Sequence, residues 1–103
     1  MSLIERLEKM LAAGQDTALL RFSLGTAYRK AGQPEKAAQQ LRSAVEQQPD
    51  YSAAWKELGR ALVDSGECDE AGEVYQRGIE VARGKGDKQA EKEMTVFLRR
   101  LQQ

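Results

Sequence analysis

Residues 52–85 read SAAWKELGRALVDSGECDEAGEVYQRGIEVARGK, and residues 18–51 read ALLRFSLGTAYRKAGQPEKAAQQLRSAVEQQPDY. The two stretches have the same length and align without a gap. Their identical positions fall where paired helices need a small side chain or a turn: Leu24 with Leu58, Gly25 with Gly59, Ala27 with Ala61, Gly32 with Gly66, Ala37 with Ala71 and Glu46 with Glu80. A repeat of this period predicts helix pairs that stack on one another.

Helical spacing of apolar residues extends over the whole chain, and no segment alternates apolar and polar residues as a strand does. We therefore predict an all-α protein of about six helices, joined by short turns that make neighbours antiparallel. Asp16 and Asp50 are expected to cap the second and fourth helices. The fifth helix is expected to end near Ala82, because Gly84-Lys85-Gly86 follows it.

The motifs of the two stretches resemble the tetratricopeptide repeat (TPR) family. Residues 52–85 carry Trp55-x-x-Leu58-Gly59 and Ala71-x-x-x-Tyr75, and residues 18–51 carry Leu24-Gly25-x-x-Tyr28 with Pro49 in the proline position. They depart from the family pattern at Arg21, which replaces tryptophan, at Gly78 in the last small position, and at Arg83, which replaces the closing proline. The resemblance implies a short right-handed α-solenoid of antiparallel helix pairs.

The flanking segments are expected to complete one domain over residues 1–103. Residues 2–14 place Leu3, Leu7 and Met10 where Ala37, Leu41 and Ala44 stand in the first repeat, so they resemble the second helix of a missing upstream repeat. Residues 18–51 and 52–85 are the two repeats. Residues 87–103 resemble the C-terminal capping helix that such arrays need to cover apolar surface.

Charge and composition exclude several classes of function. The 16 basic residues equal the 16 acidic ones, so no basic excess favours nucleic acid or a membrane surface. The chain has no histidine, which removes the usual general base and most zinc sites. We expect no catalytic residue, no metal and no cofactor. One cysteine, Cys68, and no apolar run long enough to span a bilayer favour the cytoplasm.

The resemblance also implies where a partner would bind, because the first helix of each family repeat lines a concave groove. The corresponding residues share one helix face in each repeat and are Leu19, Phe22, Thr26 and Arg29, followed by Ala53, Lys56, Arg60 and Val63. The set combines apolar with basic side chains and contains no acid. We therefore expect a protein or peptide partner that is acidic or carries a carboxylate beside an apolar side chain.

Other interpretations remain open from the sequence. Phe22 could pack against a neighbouring helix while the basic residues form a solvated face. The chain could be a monomer, or a weak homodimer that buries the Leu3/Leu7 and Met94/Phe97 faces of its terminal helices. Some family members hold a chaperone tail with a clamp that uses asparagine. The chain contains no asparagine, so that clamp is not expected.

Overall fold

Six helices and no strand make up the computed structural model, which describes residues Met1–Gln103. The prediction of an all-α fold is therefore confirmed. None of these helices combines the length and the apolar character that a bilayer-spanning segment requires. The helices are α1 (Leu3–Ala12), α2 (Ala18–Lys30), α3 (Pro34–Gln47), α4 (Ser52–Asp64), α5 (Cys68–Lys85) and α6 (Lys88–Leu101).

The helix starts follow capping chemistry, although two of the expected caps are wrong. Thr17, and not Asp16, caps α2 by accepting a hydrogen bond from the Leu20 amide at 3.1 Å. Asp16 instead accepts from the Arg21 guanidinium, with both carboxylate oxygens engaged at 2.8 Å. Asp50 likewise caps nothing, since Tyr51 holds the N-cap position of α4 without a side-chain hydrogen bond. A guanidinium that donates two hydrogen bonds binds a carboxylate more strongly than one backbone amide does. Asp16 therefore pairs with Arg21 instead of capping α2.

Helix α5 is longer than the sequence indicates. It continues through Gly84 and ends at Lys85, because Gly84 keeps helical geometry with open space around it. The helix ends where Gly86 takes a left-handed conformation, with φ of 73°. Only glycine adopts that conformation at little cost, so the second glycine of the pair is the stop signal.

Close approach of the paired helices depends on two glycines, as the sequence predicts. A Cβ added to Gly25 would lie 2.5 Å from Leu41 Cγ, and one added to Gly59 would lie 2.2 Å from Tyr75 Cε1. Leu41 and Tyr75 are among the largest fully buried side chains. Each repeat thus packs a large side chain of its second helix directly on the backbone of its first.

The terminal helices belong to the same core, which removes most of the surface proposed for a homodimer. Leu7 of α1 is buried against α2, and Met94 of α6 is 0% exposed. Phe97 packs against the core with its ring centroid 5.7 Å from that of Tyr75. Of the four residues expected at a dimer interface, Leu3 alone is well exposed. Most of these two faces is therefore covered within one chain, and Leu3 remains open to solvent.

The array of stacked helix pairs is curved. The backbones of α2 and α4 lie close together, as do those of α4 and α6, whereas α3 and α5 are linked by the Arg42–Glu70 ion pair rather than by backbone proximity. The first helices of successive pairs are therefore closer together than the second helices. We call the surface formed by α2, α4 and α6 the groove face, since it lies on the inner side of the bend.

Candidate functional site

The eight residues predicted from the sequence lie on α2 and α4, and the structure gives them different environments. Leu19 is 65% exposed, while the other seven are half-buried. The set consists of Leu19, Phe22, Thr26 and Arg29 on α2, and of Ala53, Lys56, Arg60 and Val63 on α4. Leu19 is therefore the one member whose apolar side chain is largely open to solvent.

Phe22 of α2 makes an aromatic contact with Tyr51, the N-cap residue of α4. Its ring centroid lies 4.9 Å from that of Tyr51, at an interplanar angle of 35°. The ring also packs against the buried core, so it is half-covered by its own chain. Such a pair adds to stability beyond the area it buries. Phe22 consequently has a structural role in addition to any contact with a partner.

The basic residue of α2 is held by two acids of α4. Arg29 Nε donates to Glu57 Oε2 at 3.1 Å, and Arg29 Nη1 lies 3.8 Å from Asp64 Oδ2. Glu57 is only 8% exposed and also lies 3.6 Å from Arg60 Nη1. A buried carboxylate needs such partners, because an unpaired one would lose its hydration. The cluster ties the two repeats together across the groove face.

The basic residues of α4 are paired in the same way with α6. Lys56 Nζ donates to Glu93 Oε1 at 3.2 Å. Arg60 places its guanidinium 5.7 Å from the centroid of the Phe97 ring. The positive charges predicted for the groove are thus largely balanced from within the chain. The acidic partners of Arg29 and Lys56 lie on a neighbouring helix, so the predicted face of a single helix does not include them.

Three smaller members of the set line the floor of the groove face. Thr26 Oγ1 is buried and has no hydrogen-bond partner. Val63 packs against the core and borders a cavity at the C-terminal end of the groove face. Ala53 is half-buried and adds no polar group.

That cavity lies between α4, α5 and α6 and has a volume of about 190 Å³. Its lining residues are Arg60, Val63, Asp64, Tyr75, Phe97, Arg100 and Leu101. Arg100 stands over the Phe97 ring at 5.9 Å, so Phe97 has an arginine from α4 and another from α6 beside it. Burial raises the pKa of the Tyr75 hydroxyl to about 12.

Sequence reasoning missed the residues that α6 brings to the groove face. Glu93 follows Lys56 by 37 residues, close to the repeat period, and Phe97 stands at the same distance from Arg60. This offset is a signal in the sequence for both residues, although the last helix lacks the repeat motif. Glu57 was missed because its partner Arg29 lies on α2, two helices earlier in the chain.

Comparison with known proteins decides the family. The model of the tetratricopeptide repeat family matches residues 5–87, which include both repeats. This chain belongs to the tetratricopeptide repeat family. The match includes most of α1 as well as the two repeats recognised in the sequence, and it ends just before α6.

Similar proteins match this chain over nearly its full length, in sequence or in structure. The TPR repeat-containing protein PA0015 of Pseudomonas aeruginosa is 56% identical over 99 residues, which are 96% of this chain and 94% of that protein. The solution structure of protein BPP2914 from Bordetella parapertussis has a TM-score of 0.85 and 44% identity, covering 98% of this chain and 88% of that one. The Sgt2 TPR domain of Aspergillus fumigatus has a TM-score of 0.80 and 32% identity, covering 94% and 64%. The two solved structures share the fold over nearly the whole of this chain.

Proposed function

We propose that the protein is a non-catalytic interaction module, which holds a segment of a partner protein in the groove face of α2, α4 and α6. Tetratricopeptide repeats are an interaction fold, and the chain belongs to that family. The observation that carries the proposal is Leu19, a large apolar side chain 65% exposed at the start of the inner surface. Exposed apolar side chains beside a groove are typical of interaction sites.

The partner's chemistry follows from how the groove charges are paired. Arg29 and Lys56 form ion pairs with acids of the same chain. They therefore attract an acidic partner less strongly than two unpaired cations would. Apolar contacts at Leu19 and Val63 would then supply most of the affinity. An acidic or carboxylate-bearing segment remains the best match at the α6 end, where Arg60 and Arg100 stand together.

The co-chaperone sgt12 of Aspergillus fumigatus is 44% identical over 66 residues, but this chain spans 19% of that protein. We therefore carry over the fold and the interaction role, and not the co-chaperone's partner. Our proposal places the protein in the cytoplasm as a monomer, which suits the exposed free thiol of Cys68.

Affinity capture from an extract of the native cells tests whether a partner binds at the groove face. Leu19→Glu is the sharpest variant, because it alters an exposed side chain, whereas Phe22→Glu would also disturb the contact with Tyr51. Val96→Glu is the matched control, since Val96 is exposed on α6 beside Lys92 and Arg99 rather than beside α4. We expect Leu19→Glu to lose the captured partner and Val96→Glu to keep it. Equal capture by both variants would refute binding at the groove.

A further inference from the structure

The exposed apolar side chains of the protein are concentrated at one end of the array. Five large apolar side chains are well exposed, and four of them lie at the α1 end: Met1, Leu3, Met10 and Leu19. The fifth, Val96, lies at the opposite end among charged side chains of α6. The terminal helices of a helical array need a polar outer surface. Helix α6 has such a surface, whereas the α1 end presents an apolar one.

An open cavity of about 230 Å³ lies between α1 and α2 at this end. Its walls are mainly apolar side chains from both helices, and polar residues of the connecting turn and of α2 complete them. Helix α1 packs against no helix other than α2, so no other part of the chain covers this cavity. We call Leu3 together with the lining residues the N-terminal edge; the lining residues are Leu7, Met10, Gln15, Thr17, Leu19, Leu20 and Ser23.

The internal repeat shows which neighbour α1 lacks. Leu3 and Met10 are 56% and 40% exposed, while Ala37 and Ala44, which stand 34 residues later on α3, are 0% exposed. Helix α3 packs against both α2 and α4, whereas α1 packs against α2 alone. Since α2 is to α1 what α4 is to α3, the neighbour that α1 lacks is the counterpart of α2.

The α2 side of the edge leads to the same position. Thr17 and Ser23 stand 34 residues before Tyr51 and Glu57. Those two residues contact α2, one through an aromatic pair and the other through an ion pair. Thr17 and Ser23 have no such contact with a preceding helix. An α-helix on the edge would therefore touch both walls of the cavity, as α2 touches both α3 and α4.

Arg6 gives this surface a positive charge. It follows Leu3 by three residues and precedes Met10 by four, so it is next to both on the surface of α1. It takes part in no ion pair. Its counterpart 34 residues later, Gln40, accepts a hydrogen bond from Arg21 of α2 at 2.8 Å. A helix on the edge would bring the residue in the place of Arg21 next to Arg6, and an acid there would pair with it.

We infer that the N-terminal edge binds an amphipathic α-helix of a partner protein, and that this helix carries an acidic residue opposite Arg6. The helix would need a small residue opposite Leu7, because Leu41, the counterpart of Leu7, packs directly on Gly25 of α2. The inference goes beyond the proposed function, since Leu19 is the one predicted groove residue that also belongs to the edge.

Charge disfavours a second copy of the chain as the occupant. In a symmetric dimer the same surface of both copies meets across a two-fold axis. Arg6 lies midway between Leu3 and Met10, the exposed apolar residues of α1. It would therefore face its own counterpart, and the two like charges would repel each other.

Two peptides test the inference on the full chain by NMR titration. The first has the sequence of residues 17–33, which form α2 with its cap and the turn that follows. The second is the same peptide with Arg21→Glu, which places an acid opposite Arg6. We expect the second peptide to shift the signals of Met10, Leu19 and Ser23 in a saturable way. It should bind about fivefold more tightly than the first, because attraction replaces repulsion. Equal affinities, or shifts centred away from the edge, would overturn the inference.

Reversal of one charge locates the contact. Arg6→Glu should invert the preference, so that the unchanged peptide binds more tightly than the Arg21→Glu peptide. Arg99→Glu makes the same change at an exposed residue of α6 and should keep the preference of the parent. Inversion by neither variant, or by both, would refute the pairing with Arg6. Because Arg6 is exposed, its replacement leaves the core intact.

A second pair of variants tests the apolar contact. Met10→Glu should weaken both peptides at least tenfold, since a charge would then face the apolar side of the helix. Val96→Glu is the matched control and should bind as the parent does. Circular dichroism shows whether each variant is folded. Unchanged peptide affinity in folded Met10→Glu would contradict binding at the edge, and the Arg6→Glu result decides if Met10→Glu does not fold.

Two further measurements separate the inference from its alternatives. Light scattering should show a monomer in the absence of peptide, and a dimer that Met10→Glu dissociates would make a second copy the occupant and overturn the inference. Affinity capture separates the edge from the groove face. A captured partner lost by Leu19→Glu but kept by Met10→Glu, together with no peptide binding, would refute the edge and preserve the groove. Peptide binding at the edge, with capture unaffected by Leu19→Glu, would support the edge and refute the groove.

Discussion

Replacement of Gly59 by alanine perturbs the fold at its tightest helix contact. The added methyl group would lie 2.2 Å from Tyr75 Cε1, 2.6 Å from Cδ1 and 2.7 Å from Cζ, all in one rigid ring. The ring cannot swing aside, because Tyr75 is buried and packs against Phe97. Helix α4 must therefore move away from α5, or the ring must leave its preferred geometry.

The change in the free energy of unfolding caused by Gly59→Ala is the sum of two opposing effects. Overpacking a well-filled core costs about 1–3 kcal/mol. Alanine is favoured over glycine within a helix by about 0.5–1 kcal/mol, which offsets part of that cost. We expect a net loss of about 1–2 kcal/mol in the free energy of unfolding, which for a domain of this size corresponds to a fall of roughly 5–15 °C in Tm.

Gly84 supplies the matched control, because it lies in helix α5 with no atom within 4 Å of an added Cβ. Gly84→Ala should raise the free energy of unfolding by about 0.5–1 kcal/mol, since only the helix preference acts there. Urea unfolding followed by circular dichroism measures both variants. A Gly59→Ala protein as stable as the parent, beside the expected gain at Gly84, would refute the close-packing argument.

Three further outcomes are expected. Glu57→Ala leaves Arg29 and Arg60 without their shared acid, so urea unfolding should show a loss of roughly 1–3 kcal/mol. Met94→Ala opens a cavity under α6 and should cost about 2–5 kcal/mol, whereas a cost near zero would show that α6 is not part of the core. Asp16 should titrate by NMR at about 2, because hydrogen bonds from Arg21 hold its pKa below 3.8. Its stabilising effect is therefore present above pH 3.8 and lost as the pH falls through about 2. Arg21→Gln should return the pKa towards 3.8.

The pairing of helices could be predicted from the sequence because it depends on residue size at fixed spacing. Gly25 and Gly59 recur one period apart, and so do the large residues Leu41 and Tyr75 that pack on them. These contacts lie within a repeat, between helices joined by a short turn. The same local information predicted six helices in the right order.

The electrostatics of the groove face could not be predicted in the same way. Two of the basic residues are paired with an acid from another helix pair, Arg29 with Glu57 and Lys56 with Glu93. Such pairs depend on the rotation of one repeat relative to the next, which a single helix face does not reveal. The cavity beside Tyr75 was missed for a related reason, since its walls come from three helices and include the non-repeat helix α6.

Photo-crosslinking in living cells tests the central claim, partner binding at the groove face, most directly. A photoreactive phenylalanine analogue would replace Leu19, which is exposed on α2, or Glu80, which is exposed on α5. Helix α5 is the second helix of its pair, and the second helices lie on the outer side of the bend. We predict a discrete crosslinked partner from position 19 and none from position 80. The reverse result, or the same partner from both positions, would contradict binding at the groove.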